Sequence, residues 1–224
     1  MTHQQQGDTM SSSEPEFNDA REYSSLEEVM NTLLTAKGKS FRELDQTGRA
    51  LTGGNKGSLG QIIEESVLKY AINSDAAPDI HIGDTSYELK VTPLKHIKKG
   101  KQTSAKERLV IDIINYLTLA DETDFESSKM WDKAKNIILV YYYDDRTAKK
   151  KELRIDCKVL ASYLMKYEAD DLATIKNDWH VIRDKVASGH ADSLSESDTN
   201  YLAACTKGAN SKQLREAPAP VSYT

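Results

Sequence analysis

The sequence predicts an α/β domain in which a central mixed β-sheet is flanked by helices. Three observations carry this expectation. Apolar residues recur at helical spacing before residue 73 and after residue 170, strand-type alternation occupies residues 80–91, and Ile137–Tyr143 is an unbroken apolar and aromatic run of strand length. Taken in order, residues 1–23 hold Gln4-Gln5-Gln6 and Ser11-Ser12-Ser13 with almost nothing apolar, which predicts a disordered acidic and polar tail. Ser25 with Glu28 makes a capping-box pattern ahead of Leu26, Val29, Met30 and Leu33, with Gly38 as the stop, and Ser40 with Glu43 opens a second, short helix. Leu59, Ile62, Ile63, Val67 and Tyr70 share one helical face, predicting a third helix over 58–72. Ile80 and Ile82, then Tyr87, Leu89 and Val91, alternate with polar residues and read as two strands. Residues 109–116 and 136–143 have the β-branched and aromatic content of buried strands, and Leu153 with Ile155 suggests one more. Leu172, Ile175, Trp179, Ile182 and Val186 predict a long amphipathic helix that ends at Gly189 and covers the sheet. One domain is therefore expected over 24–214, followed by a Pro/Ala-rich end at 215–224.

Composition narrows the function classes. The longest apolar run is far shorter than the roughly 20 residues a membrane helix needs, so no membrane partner is expected. The start has no basic-then-apolar signal pattern, and Cys157 and Cys205 stand alone, which excludes a disulfide scaffold or cysteine zinc site and fits a reducing cytoplasm. The net charge is −5, but residues 1–36 carry seven carboxylates against Arg21 alone, leaving the body near neutral. Within the body, Lys95, Lys98, Lys99, Lys101, Lys106 and Arg108 crowd one stretch against Glu107. That cluster reads either as a phosphate contact or as a solvated basic loop. Gly53-Gly54-Asn55-Lys56-Gly57-Ser58 does not fit the Gly-x-x-x-x-Gly-Lys-Ser phosphate loop, and the five histidines have no zinc-ligand spacing.

The stretch that carries chemistry is residues 78–90. Alternation along a strand places Glu88 and Lys90 on one face and Tyr87, Leu89 and Val91 on the other. A two-residue turn at Gly83-Asp84 pairs Ile82 with Thr85, and continuing that register sets Asp79 opposite Glu88. Cross-strand Cβ atoms lie about 4.5–5.5 Å apart, so two carboxylates so placed repel each other unless a cation lies between them. Oxygen ligands without His or Cys favour Mg²⁺, with Mn²⁺ as a substitute, and such an ion can present a water to a phosphate. Lys90 would orient that water or meet the developing negative charge. A surface hairpin with a plain Glu-Lys pair has the same spacing. His81 shares the Asp79 face and so falls near any metal.

Asp followed by Glu-x-Lys on adjacent strands resembles the PD-(D/E)XK nucleases. Glu88-Leu89-Lys90-Val91-Thr92-Pro93 is similar to the branch holding the mismatch-repair nicking enzyme MutH and the Sau-type restriction endonucleases, which act at GATC. Lys56-Gly57-Ser58-Leu59-Gly60 leading to Glu64, residues 106–116, and Tyr201-Leu202 leading to Cys205-Thr206-Lys207-Gly208-Ala209-Asn210 agree with it in the same order. The resemblance implies a restriction-endonuclease-like fold and hydrolysis of phosphodiesters in double-stranded DNA, with Asp79 and Glu88 holding the metal and Lys90 as the catalytic lysine. Glu64 matches a carboxylate beside the metal site, although periodicity does not choose between it and Glu65. Lys135 matches a further active-site lysine, with Lys133 competing for the alignment. Lys56, Lys95, Lys98, Lys99, Lys207 and Asn210 fall where DNA contacts are implied.

Two departures bear on these expectations. The spacing from Asp79 to Glu88 is two positions longer than the family pattern, which lengthens each hairpin arm by one residue and preserves the facing. The chain also stops at Thr224, short of the family's further base-reading elements, which implies a missing C-terminal domain, a partner chain or self-association. Restriction-type cleavage at GATC is the leading expectation. A MutH-like nicking enzyme and a non-catalytic DNA-binding fragment are the alternatives.

Overall fold

In a computed structural model of the protein, residues 21–49, 58–70, 78–97, 102–145 and 153–204 are described. Helix α1 (Leu26–Leu34) starts where Ser25 Oγ accepts the Glu28 N–H, and Gly38 leaves it at φ +81°. Helix α2 (Phe41–Leu44) carries the full reciprocal cap: Ser40 Oγ accepts from the Glu43 N–H, and the Glu43 carboxylate accepts the Ser40 N–H at 2.7 Å. Because Ser40 is buried and also bridges Lys158, just ahead of the last strand, Ser40→Ala should cost about 1 kcal/mol. A circular-dichroism melt should show this as a drop of about 2–4 °C. A shift below about 1 °C would mean that the cap adds nothing to the fold.

Helix α3 (Ser58–Ile62) widens into a π-helical turn over Ile63–Val67 and stops earlier than its apolar pattern predicts. Lys69 takes the left-handed conformation (φ +62°), and the Tyr70 N–H closes back on the Glu64 carbonyl at 3.2 Å. The chain then enters the sheet, which has the order β1 (Ile80–Ile82), β2 (Thr85–Ile97), β4 (Ile137–Tyr143), β5 (Val159–Leu164), with β3 (Gln102–Ala105) pairing the far half of β2. The β2–β4 pair is parallel and the others are antiparallel, so the sheet is mixed. A parallel pair needs a crossover, and residues 98–136 supply it with β3, α4 (Tyr116–Asp121) and α5 (Lys129–Ala134). At the far end of β2, His96 donates its N–H to Asp145 Oδ1 at 2.7 Å, pairs its ring with that carboxylate and stacks on Tyr143 at 4.3 Å.

The two faces of the sheet bury different layers. Leu89, Ile138, Val140 and Tyr142 pack against α1, α2 and α3, with Phe41 edge-on to Tyr142 at 5.2 Å. Ile137, Leu139 and Tyr141 lie on the opposite face with Leu109, Ile111, Met130 and Trp131. Helix α6 (Ala169–Ala187) buries Trp179, Ile182 and Val186 as its period predicts. Its main partner, however, is α4 rather than the sheet, and Trp179 meets Phe125, which meets Trp131 in turn.

Two strand expectations are corrected. Residues 109–115 join no strand, because β4 has β2 on one side and β5 on the other, and Tyr116 already opens α4. The segment instead lays Leu109 and Ile111 on the sheet face and leaves Val110 and Ile113 in solvent. Leu153 and Ile155 flank and enter a 3₁₀ turn (Arg154–Asp156), with Ile155 plugging the core and Leu153 exposed. The strand in this region is β5, which begins four residues later. No helix among the described residues is long and apolar enough to cross a membrane.

Candidate active site

The β1–β2 hairpin has the register set by Gly83-Asp84: Ile80 faces Tyr87, His81 faces Ser86 and Ile82 faces Thr85. Gly83 supplies the positive φ (+55°) at the first turn position, which a β-carbon would strain. Asp79, one residue before β1, reaches across the hairpin, and its Oδ2 accepts the Leu89 N–H at 2.8 Å. That bond fixes its carboxylate beside Glu88. On β2, Glu88 donates its N–H to the Asn136 carbonyl at 2.9 Å, while Asn136 Nδ2 donates to the Ser86 carbonyl at 3.1 Å, so the head of β4 pins this part of the strand.

Glu88 is buried, at 7% exposure, rather than standing on a solvated face. Its Oε1 accepts from Lys90 Nζ at 2.6 Å, and its Oε2 is buried without a hydrogen-bond partner among the described residues. A carboxylate oxygen left dry in this way is costly unless a cation or donor arrives. Burial and the Glu88 charge raise the Asp79 pKa, against the opposing pull of the Leu89 N–H, Lys90 and Arg21.

The π turn decides which of the two adjacent glutamates faces this pair. Glu65 is committed elsewhere, held by the Arg49 guanidinium and by Thr47 Oγ1 at 3.1 Å. Glu64 lies in the field of Asp79, and burial together with that charge pushes its pKa up to about 7. Arg21 and Lys90 oppose the rise. Asp79, Glu88 and Lys90 are thus brought together on the hairpin, and Glu64, in the π turn that follows α3, lies close enough to Asp79 to feel its charge.

Other expected residues are placed differently. Lys135 caps the end of α5, next to the Asn136 that holds Glu88, yet its ammonium pairs with Asp132 at 2.5 Å. Lys133 faces Asp112 at 3.7 Å. The His81 ring is bonded through Nδ1 to Ser86 Oγ at 3.0 Å. Lys95 is exposed on β2, whereas Lys56, Lys98, Lys99, Lys207 and Asn210 lie outside the described residues. The basic cluster is also less free than its sequence implies, because Lys106 is paired with Asp144 at 2.9 Å and Arg108 with Glu196. The residue that sequence reasoning missed is Arg21. It is buried against the Tyr70 ring with its guanidinium 4.8 Å from the centroid, and its being the lone base of an acidic segment was the only signal.

Among the described residues, no group of three or more His, Cys, Asp or Glu side chains gathers around one point for a metal ion. A two-carboxylate site still fits a hard divalent cation, which can bind through one or two carboxylates and fill the rest of its shell with water and phosphate oxygens. The unpartnered Glu88 Oε2 beside Asp79 is the donor such an ion would use.

Residues 68–178 match the family model described as DNA mismatch repair enzyme MutH. The chain is 39% identical over 196 residues to the type II restriction enzyme Sau3AI of Staphylococcus aureus, an alignment covering 88% of this chain and 38% of that protein. It is 26% identical over 204 residues to the DNA mismatch repair protein MutH of Shewanella woodyi, covering 89% of this chain and 82% of that one.

Proposed function

We propose that the chain belongs with MutH and Sau3AI to one restriction-endonuclease-like family, and that it is a Mg²⁺-dependent endonuclease cutting double-stranded DNA at GATC. The chain spans 38% of the length of Sau3AI. The observation that carries the reading is the buried Asp79–Glu88 pair, with one oxygen unpartnered and Lys90 bonded to the other. Asp79 and Glu88 would hold the ion, with Mn²⁺ able to replace Mg²⁺. When bound, the ion supplies Lewis-acid polarisation of the phosphate and a more acidic water. Glu88 holds Lys90 Nζ at the same carboxylate, so the ammonium is positioned to orient a water for in-line attack or to meet charge on the phosphate oxygens. Hydrolysis would leave 5′-phosphate and 3′-hydroxyl ends. Glu64 would act from the edge of the site through its charge, and Lys135 would serve by exchanging Asp132 for substrate phosphate.

Incubating the protein with a GATC duplex and Mg²⁺, alongside a scrambled duplex, tests the proposal. Cleavage confined to GATC is expected. Cuts in one strand only would favour the nicking reading, and binding without cuts would favour a non-catalytic fragment. Binding should also weaken as salt rises, because phosphate contacts release counterions. If exposed Lys95 contacts one phosphate, Lys95→Ala should lower affinity equally on both duplexes and reduce the log–log salt slope by about 1. Fluorescence anisotropy at several salt concentrations reads this, and an unchanged slope would remove Lys95 from the interface.

A further inference from the structure

Asn136 stands at the joint between α5 and β4, and the proposed reaction gives its side chain no part. The β2–β4 ladder opens with Glu88 beside Ile137, where the Asn136 carbonyl accepts the Glu88 N–H at 2.9 Å. Carried back by one rung, a parallel ladder would bond the Ser86 carbonyl to the backbone N–H of Asn136. The chain has already left strand geometry there, because Lys135 ends α5 in the helical conformation (φ −59°, ψ −34°) with its N–H on the Trp131 carbonyl at 2.8 Å. The Asn136 side chain makes the rung instead, with Nδ2 donating to the Ser86 carbonyl at 3.1 Å. One residue thus grips β2 at both 86 and 88. The anchor is itself fixed from its far side: the Met165 N–H donates to the Ile137 carbonyl at 2.8 Å, Tyr167 Oη donates to the Ala134 carbonyl at 2.6 Å, and Ala134 and Ile137 are buried. On the hairpin side, Ser86 Oγ shares a hydrogen bond with His81 Nδ1 at 3.0 Å, and Asp79 Oδ2 accepts the Leu89 N–H at 2.8 Å. Residues 86–89 of β2 are therefore the spine on which both carboxylates are placed, and Asn136 ties that spine to the buried sheet.

We infer that Asn136 is a positioning residue of this site: its side-chain amide locks the Ser86–Glu88 stretch of β2 to the head of β4 and so sets the spacing of the Asp79 and Glu88 carboxylates. The inference rests on the proposed metal-site reading and deepens it. Without Nδ2 the Glu88 N–H keeps its partner, but β2 loses the rung that stops it from pivoting about that bond. Two carboxylates that repel each other then move apart. A site whose ligands must be gathered again by the ion holds it less tightly, since the ordering falls on the binding step.

The test uses the full chain, comparing the parent with Asn136→Ala and with Asn136→Leu, which keeps the branched shape of the side chain without its donor. Mn²⁺ affinity is read by electron paramagnetic resonance titration, kcat and KM on a GATC duplex are read well below every melting temperature, and melts are run in chelator. Both variants should bind Mn²⁺ about tenfold more weakly and lose about 10–100-fold in kcat, the range expected when a group that orients a metal ligand is removed, with KM changed less than about twofold. Melting in chelator should fall by only about 2–4 °C. A side chain that merely caps the strand predicts otherwise: a lower melting temperature with parental Mn²⁺ affinity and kcat. That pattern overturns the inference alone, and so does a raised KM at parental kcat, which would make Asn136 a DNA contact. If the parent binds Mn²⁺ without cutting, the change in Mn²⁺ affinity decides by itself. Absence of Mn²⁺ binding by the parent protein overturns the metal-site reading and the inference with it.

Discussion

Glu88→Gln and Lys90→Ala should each reduce DNA cleavage by at least about 10³-fold, the scale of losing a charge fixed at the reacting phosphate. Their effects on the fold should differ, because the two side chains are buried to different degrees. Glu88 carries a charge in a nearly dry position with one oxygen unpartnered, so making it neutral removes a desolvation cost. Glu88→Gln should therefore melt at or above the parental temperature while being inactive. Lys90→Ala removes the partner of that buried carboxylate, whose other oxygen is already unsatisfied, and should cost about 1–3 kcal/mol of stability. Plasmid cleavage paired with thermal melts checks both. Parental cleavage by either folded variant would overturn the catalytic assignment, and a strongly destabilised Glu88→Gln would mean that its charge is structural.

The largest loss of stability is expected at a residue outside the site. Asp178, on α6, has no exposed surface, and its carboxylate collects the backbone N–H groups of Asn200 at 3.1 Å, Tyr201 at 2.6 Å and Leu202 at 3.0 Å. This single side chain holds the segment that follows the last 3₁₀ turn (Glu196–Asp198) against the helix. Hydrogen bonds to a charged group contribute about 1.5–3 kcal/mol each, and three that share one acceptor are not additive, so Asp178→Ala should cost about 3–4 kcal/mol. That corresponds to a fall of about 6–16 °C in melting temperature, and urea denaturation should show a matching shift in midpoint. A loss under about 1 kcal/mol would mean that this segment is held by other contacts.

The parts of the fold governed by neighbours in sequence were readable from the residues. The hairpin register followed from Gly83-Asp84, and the capping residues Ser25 and Ser40 located α1 and α2. What depends on distant partners was not. Residues 109–116 have strand composition, but whether such a stretch joins a sheet depends on a free edge, and β4 offers none. In β5, the residues Ala161 and Ser162 dilute the signal, while Leu153 and Ile155 mimic the alternation that β5 lacks. The choice between Glu64 and Glu65 was beyond periodicity because the π turn departs from the 3.6-residue frame the wheel assumes. Arg21 and Asp178 were missed for a common reason: a polar residue gains a structural role only from the groups brought to it by the rest of the chain.

The hairpin also sets the order in which the molecule can assemble. The Asp79–Leu89 bond closes ten residues of chain, whereas the His96–Asp145 latch between the ends of β2 and β4 closes 49. Loop-closure entropy makes the longer closure dearer by about 1.4 kcal/mol, and hairpins of this size form in about 1–10 μs. The carboxylates of Asp79 and Glu88 therefore meet early, in a hairpin still surrounded by water, where their repulsion is weak. Their charges come into strong opposition only when β4 docks along β2 and excludes that water. The electrostatic burden of the site thus falls on a late, long-range step of folding, after the geometry of the pair has already been set.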